Sequence, residues 1–259
     1  MLIPAIRTTI LGDKMGFSTD GLVIKEMNIG DNDRLVTIMT RDYGVIKAFA
    51  VGAKSIKSRR GSATGLLSYS DFDIDKKGDT YKIREATVNR MFFGAGSDID
   101  VLALSQYLCE LCLVLGPYDE NGEEFLRLIL NSLHFITEKK RPLALIKAIT
   151  ELRIASISGY TPNLVACDGC GEFEADVMYF NTYEGVLYCE NCRKGEYCKE
   201  INPAVLKAMR HIVYSKLESL YSFEIPERET KILSDITEKY ITLQTEHKFT
   251  TLDFYNSII

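Results

Sequence analysis

Four cysteines constrain this chain more than any other feature. Cys167-Asp168-Gly169-Cys170 and Cys189-Glu190-Asn191-Cys192 are two Cys-x-x-Cys pairs with 18 residues between them. That spacing is the pattern of a structural zinc site. Each pair makes a tight turn that aims two sulfurs at one ion, and two such turns supply the four thiolates of a closed tetrahedron. Gly169 and Gly171 sit in and just after the first turn, where the backbone bends sharply. Asn191 takes the corresponding place in the second. A closed site leaves no open position for water or substrate, so its expected role is to fold the chain. The alternatives are disulfides and a metal-free turn. Disulfides need an oxidising compartment, and residues 1–14 lack the uninterrupted apolar core and cleavage site of a secretory signal. A zinc deaminase would place His-x-Glu ahead of its Cys pair. His134, His211 and His247 are scattered, and none of them begins such a motif.

The rest of the composition is that of an ordinary globular chain: 259 residues, 46% hydrophobic and 26% charged. No apolar run approaches the roughly 20 residues needed to span a bilayer, so the cytoplasm is the expected location. The net charge of −5 argues against a protein that simply coats nucleic acid. Residues 1–95, however, hold 15 Lys and Arg against 11 Asp and Glu, whereas the remainder holds 16 against 25. That asymmetry is compatible with an N-terminal part that faces nucleic acid.

After an N-terminal extension, residues 1–16, the chain to position 95 reads as strands. β-Branched runs centre on 22–24, 34–40, 45–51, 66–74 and 81–88, with turn signals at Asp42-Tyr43-Gly44 and Lys77-Gly78-Asp79. Five short strands in this length predict a small closed barrel; periodicity alone leaves an SH3-like barrel open. Between the third and fourth strands, Gly52 to Gly61 carries Lys54, Lys57, Arg59 and Arg60 with no acidic residue. This is either a phosphate-binding loop or a solvated connection. Lys47 and Phe49 share one face of the preceding strand. They form either a stacking platform for single strands or, with Phe49 in the core and Lys47 at the rim, a packing pair, and the packing arrangement is the expectation. Asp71, Asp73 and Asp75 line one face of the fourth strand and would repel phosphate.

From Asp98 the period becomes helical. Val101, Leu104, Leu108, Leu111 and Leu115 mark a buried helix that also carries Cys109 and Cys112, read as core thiols. Further helices follow Asn121 and Pro142, then Asn202-Pro203, then Glu227, before an apolar tail from Phe249. Cys198 has no partner at metal spacing. The expected architecture is α+β: a barrel at 17–95, an α-helical domain at 96–165 and 198–259, and a four-cysteine zinc module at 166–197 that interrupts it.

These residues resemble the RecO family, bacterial recombination-mediator DNA-repair proteins. The matching stretches are Thr19-Asp20-Gly21-Leu22-Val23-Ile24-Lys25, Gly30 to Leu35, Thr40-Arg41-Asp42-Tyr43-Gly44, Gly52-Ala53-Lys54 with Lys57-Ser58-Arg59, and Glu151-Leu152-Arg153. They continue with Gly159-Tyr160-Thr161-Pro162-Asn163-Leu164 and both cysteine pairs, covering most of 17–192 in order. The resemblance implies an OB-fold, one structural Zn2+ on Cys167, Cys170, Cys189 and Cys192, and no catalytic residues. It implies binding to single- and double-stranded DNA, annealing of complementary strands, and cooperation with RecR in loading RecA onto DNA covered by single-strand-binding protein. The family's basic surface maps to Arg34, Arg41, Lys54, Lys57 and Arg59; Lys47 and Arg60 join it on local grounds. The tail of single-strand-binding protein is expected on the helical domain, where Lys147 and Arg153 interrupt an apolar helix. Two other classes compete: a zinc-ribbon regulator, whose knuckles are here flanked by acids, and a metallohydrolase, which lacks a general base and an open metal position.

Overall fold

The computed structural model of the chain describes residues 9–11, 14–55, 58, 60–92 and 98–259. They fall into two compact units, 1–137 and 138–259.

The first unit is built on a mainly antiparallel barrel. Its strands are β1 (Thr9–Leu11), β2 (Lys14–Ile29), β3 (Asp33–Thr40), β4 (Gly44–Ala50), β5 (Ser68–Lys77) and β6 (Thr80–Met91). The order is β1-β2-β3-β4-β6-β5, and β2 also pairs with β5. Five strands, β2 to β6, thereby close into a barrel with β1 as a hairpin extension. Closure works because β2 is long enough to serve two neighbours. Its first half pairs with β5, from Met15↔Lys76 to Leu22↔Tyr69. Its second half pairs with β3, and a bulge between Val23 and Lys25 bends the strand where it changes partner. The pair β4–β6 is parallel, and a short helix α1 (Arg60–Ala63) lies between β4 and β5. This arrangement is OB-like, which resolves the choice of barrel that periodicity leaves open. The interior holds Phe17, Val23, Val36, Ile38, Ile46, Phe72, Ile74 and Ile83. Each large apolar side chain of this kind contributes about 1.5–3 kcal/mol by leaving water.

Helices α2 (Ile99–Leu115) and α3 (Glu123–Thr137) belong to this same unit rather than to the one holding the later helices. α2 is buried on nearly every side, and Cys109 and Cys112 are within it, as the apolar pattern predicts. Burial pushes the Cys109 thiol up to about 12, in keeping with an inert core thiol. After α2 the chain meets the β3–β4 turn, where Val45 N–H donates to Pro117 O at 2.7 Å. Gly44 is required there: it has φ +61°, and a Cβ would collide with the Pro117 carbonyl.

The second unit packs α4 (Leu143–Ile157) chiefly on α6 (Glu227–Thr245), with α5 (Pro203–Tyr214) and α7 (Thr250–Ile258) alongside. A four-stranded sheet interrupts these helices: β7 (Asn163–Cys167), β8 (Met178–Asn181), β9 (Val186–Cys189) and β10 (Cys198–Ile201), in the order β10-β8-β9-β7. α5 begins as its sequence predicts, with Asn202 Oδ1 accepting from Val205 N–H at 3.0 Å and Pro203 in the first turn. The apolar tail docks through Phe249, Leu252 and Tyr255. No helix among the described residues is long and apolar enough to cross a membrane.

Candidate nucleic-acid interface and metal centre

The barrel's outer surface carries two side-chain rows at right angles to its strands. Residues paired across neighbouring strands project from the same face. The register Lys25↔Thr37↔Lys47 therefore makes one row, in which Thr37 is covered and the two lysines are exposed, and Met27↔Leu35↔Phe49↔Lys82 makes the next. Phe49 is 39% and Met27 52% exposed. This corrects the expectation that Phe49 fills the core: on β4 the inward positions are Ile46, Ala48 and Ala50, so Lys47 and Phe49 both face out. Lys25, Lys47 and Lys82 are exposed and enter no hydrogen bond or ion pair among the described residues. The result is an apolar strip with an aromatic ring, flanked by uncommitted cations. Lys25 and Lys82 were not singled out by the sequence; only strand register brings them beside Lys47.

The remaining basic candidates are placed differently. Arg41 presents one edge of its guanidinium to Asp20, with Nε–Oδ1 and Nη2–Oδ2 both 2.7 Å, and Nη1 lies 3.2 Å from Glu123. Tyr69 donates to the same Asp20 at 2.5 Å. Burial works against the Asp20 charge, but the hydrogen bonds from Arg41 and Tyr69 outweigh it and hold the carboxylate below its ordinary range. Arg41 thus ties β2 to the end of β3, and its charge is already answered. Arg34 donates to Gly61 O at 2.9 Å and lies 3.5 Å from Glu26. Arg60 donates to the carbonyls of Ile83 and Arg84. Both fasten the basic loop to the barrel. Lys54 is exposed, with Nζ 3.5 Å from Gly30 O. Lys57 and Arg59 lie outside the described residues. The three aspartates of β5 do face outward, as expected. Asp73 accepts from Ser18 and lies 3.7 Å from Arg84, which is also 3.7 Å from Asp75.

Lys147 and Arg153 do not project as free cations. Lys147 is 2% exposed, with Nζ 3.1 Å from Glu151, 2.8 Å from Glu238 and 3.2 Å from Ser234 Oγ. Thr237 donates to the other oxygen of Glu151 at 2.7 Å. Burial alone would lower the Lys147 pKa, but the two carboxylates raise it. Arg153 donates to Ile212, Val213 and Ser215 carbonyls, closing the C-terminal end of α5. Both candidates serve the fold of this unit.

The two cysteine pairs converge. The Sγ atoms of Cys167, Cys170, Cys189 and Cys192 all lie within 4.8 Å of one another. Sulfurs about 2.3 Å from a tetrahedral ion stand about 3.8 Å apart, and Cys170 and Cys189 are 3.7 Å apart. Gly169 permits the convergence, because a Cβ there would lie 2.8 Å from that of Cys192. Burial disfavours the Cys167 thiolate, yet the backbone N–H groups of Cys189, Cys170 and Gly169 point at it and bring its pKa down. The donor set therefore fits a metal ion. All seven cysteines are free of disulfides, and Cys198 is outside the cluster, donating to Lys194 O at 3.1 Å.

Two family models match the chain: Recombination protein O N terminal over residues 15–92, and Recombination protein O C terminal over 96–253. The DNA repair protein RecO of Acetivibrio thermocellus is 31% identical over 241 residues, covering 93% of this chain and 96% of the relative. That of Caldicellulosiruptor bescii is 28% identical, covering 93% and 98%. With a barrel and a helical region that both match and a relative aligned nearly end to end, this chain belongs to the RecO family of DNA repair proteins.

Proposed function

We propose that the chain is a recombination mediator that binds single- and double-stranded DNA, anneals complementary strands, and with RecR helps RecA load onto DNA covered by single-strand-binding protein. The observation that carries this reading is the outer face of the barrel, where Lys25, Lys47 and Lys82 surround Phe49, Leu35 and Met27. Cations that track a backbone beside a ring that stacks on bases are what sequence-independent binding of single strands needs. Annealing follows when two strands, screened by the same cations, are held close enough to pair. Lys54, with Lys57 and Arg59, would extend the path along the loop, whereas Arg34, Arg41 and Arg60 hold the barrel and its loop in shape. The chain contributes no catalytic step in this reading.

The cysteine cluster is read as the site of one Zn2+, which Cys167, Cys170, Cys189 and Cys192 would hold. Such an ion would supply four bonds that fold the module at 166–197, which lies in the chain between α4 and α5. The tail of single-strand-binding protein is assigned to the helical region by the family resemblance, on residues other than the buried Lys147. The test is annealing of complementary fluorescent oligonucleotides. Wild type should accelerate pairing at low salt, and a K25A/K47A/K82A variant of unchanged melting temperature should not. Equal acceleration by both proteins would refute the reading.

A further inference from the structure

A second aromatic platform lies in the C-terminal unit, far along the sequence from the barrel face. The β8–β9 turn presents Tyr183 to solvent, 61% exposed, with its ring stacked on Tyr197 at 5.3 Å between centroids and 28° between planes. Lys239 Nζ stands 5.4 Å from the Tyr197 ring. The exposed ring is rigidly mounted. Tyr183 N–H donates to Asn181 Oδ1 at 3.0 Å, and its carbonyl accepts from Gln244 at 2.8 Å. Thr182 N–H donates to Tyr197 O at 3.1 Å, which fixes the two ring-bearing segments to each other. Gln244 and Lys239 both come from α6, so the turn is tied to the helix that carries the cation.

A large ring left in water gains nothing for the fold on its open side. Held by backbone bonds on its other side, it loses little conformational freedom when a planar partner stacks on it. A ring open to solvent on one side, with an ammonium group against the ring that backs it, suits a nucleobase stacked on the open face with its phosphate chain passing nearby. Lys199 lies on the edge strand β10, two residues from Tyr197, and adds an exposed cation to the half-buried Lys239. The two acids nearest in sequence differ in availability: Glu184 is occupied by Asn181 and Tyr188, and Glu196 is exposed.

We propose that Tyr183, backed by Tyr197 and Lys239, is a base-stacking site for single-stranded nucleic acid, separate from the barrel face. The proposal rests on the DNA-binding reading above and deepens it, since annealing needs two strands and a chain with two stacking sites can engage both. The probe is an oligothymidylate with 5-iododeoxyuridine at single positions, irradiated with the full-length, metal-loaded protein and mapped by peptide mass spectrometry. An adduct on Tyr183 is expected. Y183A and Y183L should each weaken oligothymidylate binding about fivefold or more, and Y183F should retain it. K239A should flatten the log–log salt slope by about 0.7. Y183F and Y183L should melt close to wild type, because both keep a side chain packed on Tyr197. Y183L is the decisive variant, since it keeps apolar bulk on Tyr197 and loses only the planar ring. Adducts confined to the barrel, with unchanged binding by Y183L, would overturn the platform and leave the DNA-binding reading standing. No binding by wild type would overturn both.

Discussion

Replacing Lys25, Lys47 and Lys82 together by alanine separates the two physical components of the barrel face. The three cations are exposed and make no hydrogen bond or ion pair among the described residues, so their removal should leave the fold alone. If each neutralises one phosphate of a single strand, the log–log salt slope should fall by about 2.1, at about 0.7 per contact. Between 50 and 200 mM salt, those three contacts alone account for about an 18-fold change in affinity. Phe49→Ala should behave in the opposite way. Base–aromatic stacking is worth about 1–3 kcal/mol per base and releases no counterions, so affinity should drop with the slope unchanged. The assay is oligonucleotide fluorescence anisotropy across a salt series for wild type, the triple variant and Phe49→Ala. Equal slopes for wild type and the triple variant would refute the reasoning, because the strand would then run elsewhere on the protein.

Three further outcomes are expected. Freshly purified protein should carry one zinc per chain by elemental analysis, and Cys189→Ser should lose the metal and lower the melting temperature, since binding free energy at a structural site is folding free energy. Lys147→Met should cost about 3–5 kcal/mol in urea unfolding by leaving Glu151 buried without its cation, and the double variant Lys147→Met, Glu151→Leu should recover much of that loss. Asp20 has its pKa lowered from 3.8 in the folded state. Its contribution to stability is therefore complete above about pH 4 and lost as pH falls through the lower folded value. Asp20→Asn should flatten the acid limb of a melting-temperature profile below pH 4.

Local pattern was enough to locate most of the elements. Strand alternation in 34–40 and 45–51, the helical period from 98, the Asn202-Pro203 start and the cysteine spacing all report interactions within a few residues. What pattern could not reach was register. The bulge between Val23 and Lys25 shifts the phase of β2, and Leu22, Val23 and Ile24 are all buried, so nothing in that run says which way Lys25 points. Lys82 meets Phe49 through a parallel pairing across more than thirty residues. Phe49 faces out although an aromatic in a strand is more often inside. The partners of the arginines are hidden from the sequence for another reason. Positive charge is visible in a sequence, but the carboxylates and carbonyls that answer it at Arg34, Arg41 and Arg60 come from distant strands.

The ammonium of Lys147 also bears on how α4 can change over time. Two apolar helices can slide or roll on one another at small cost, because one leucine contact substitutes for the next. α4 is apolar around most of its circumference and would have that latitude against α6. One charge removes it. Lys147 finds Glu238 and Ser234 of α6 within 2.8 and 3.2 Å in the observed alignment. A slip of one helical turn, about 5.4 Å, would carry it out of reach of both while keeping it from water. The ion pair acts as an index mark that only one alignment satisfies. It also links the inheritance of separate positions: a neutral residue at 147 is tolerable only when 151 becomes neutral too, so the two should change together among descendants of this chain or not at all.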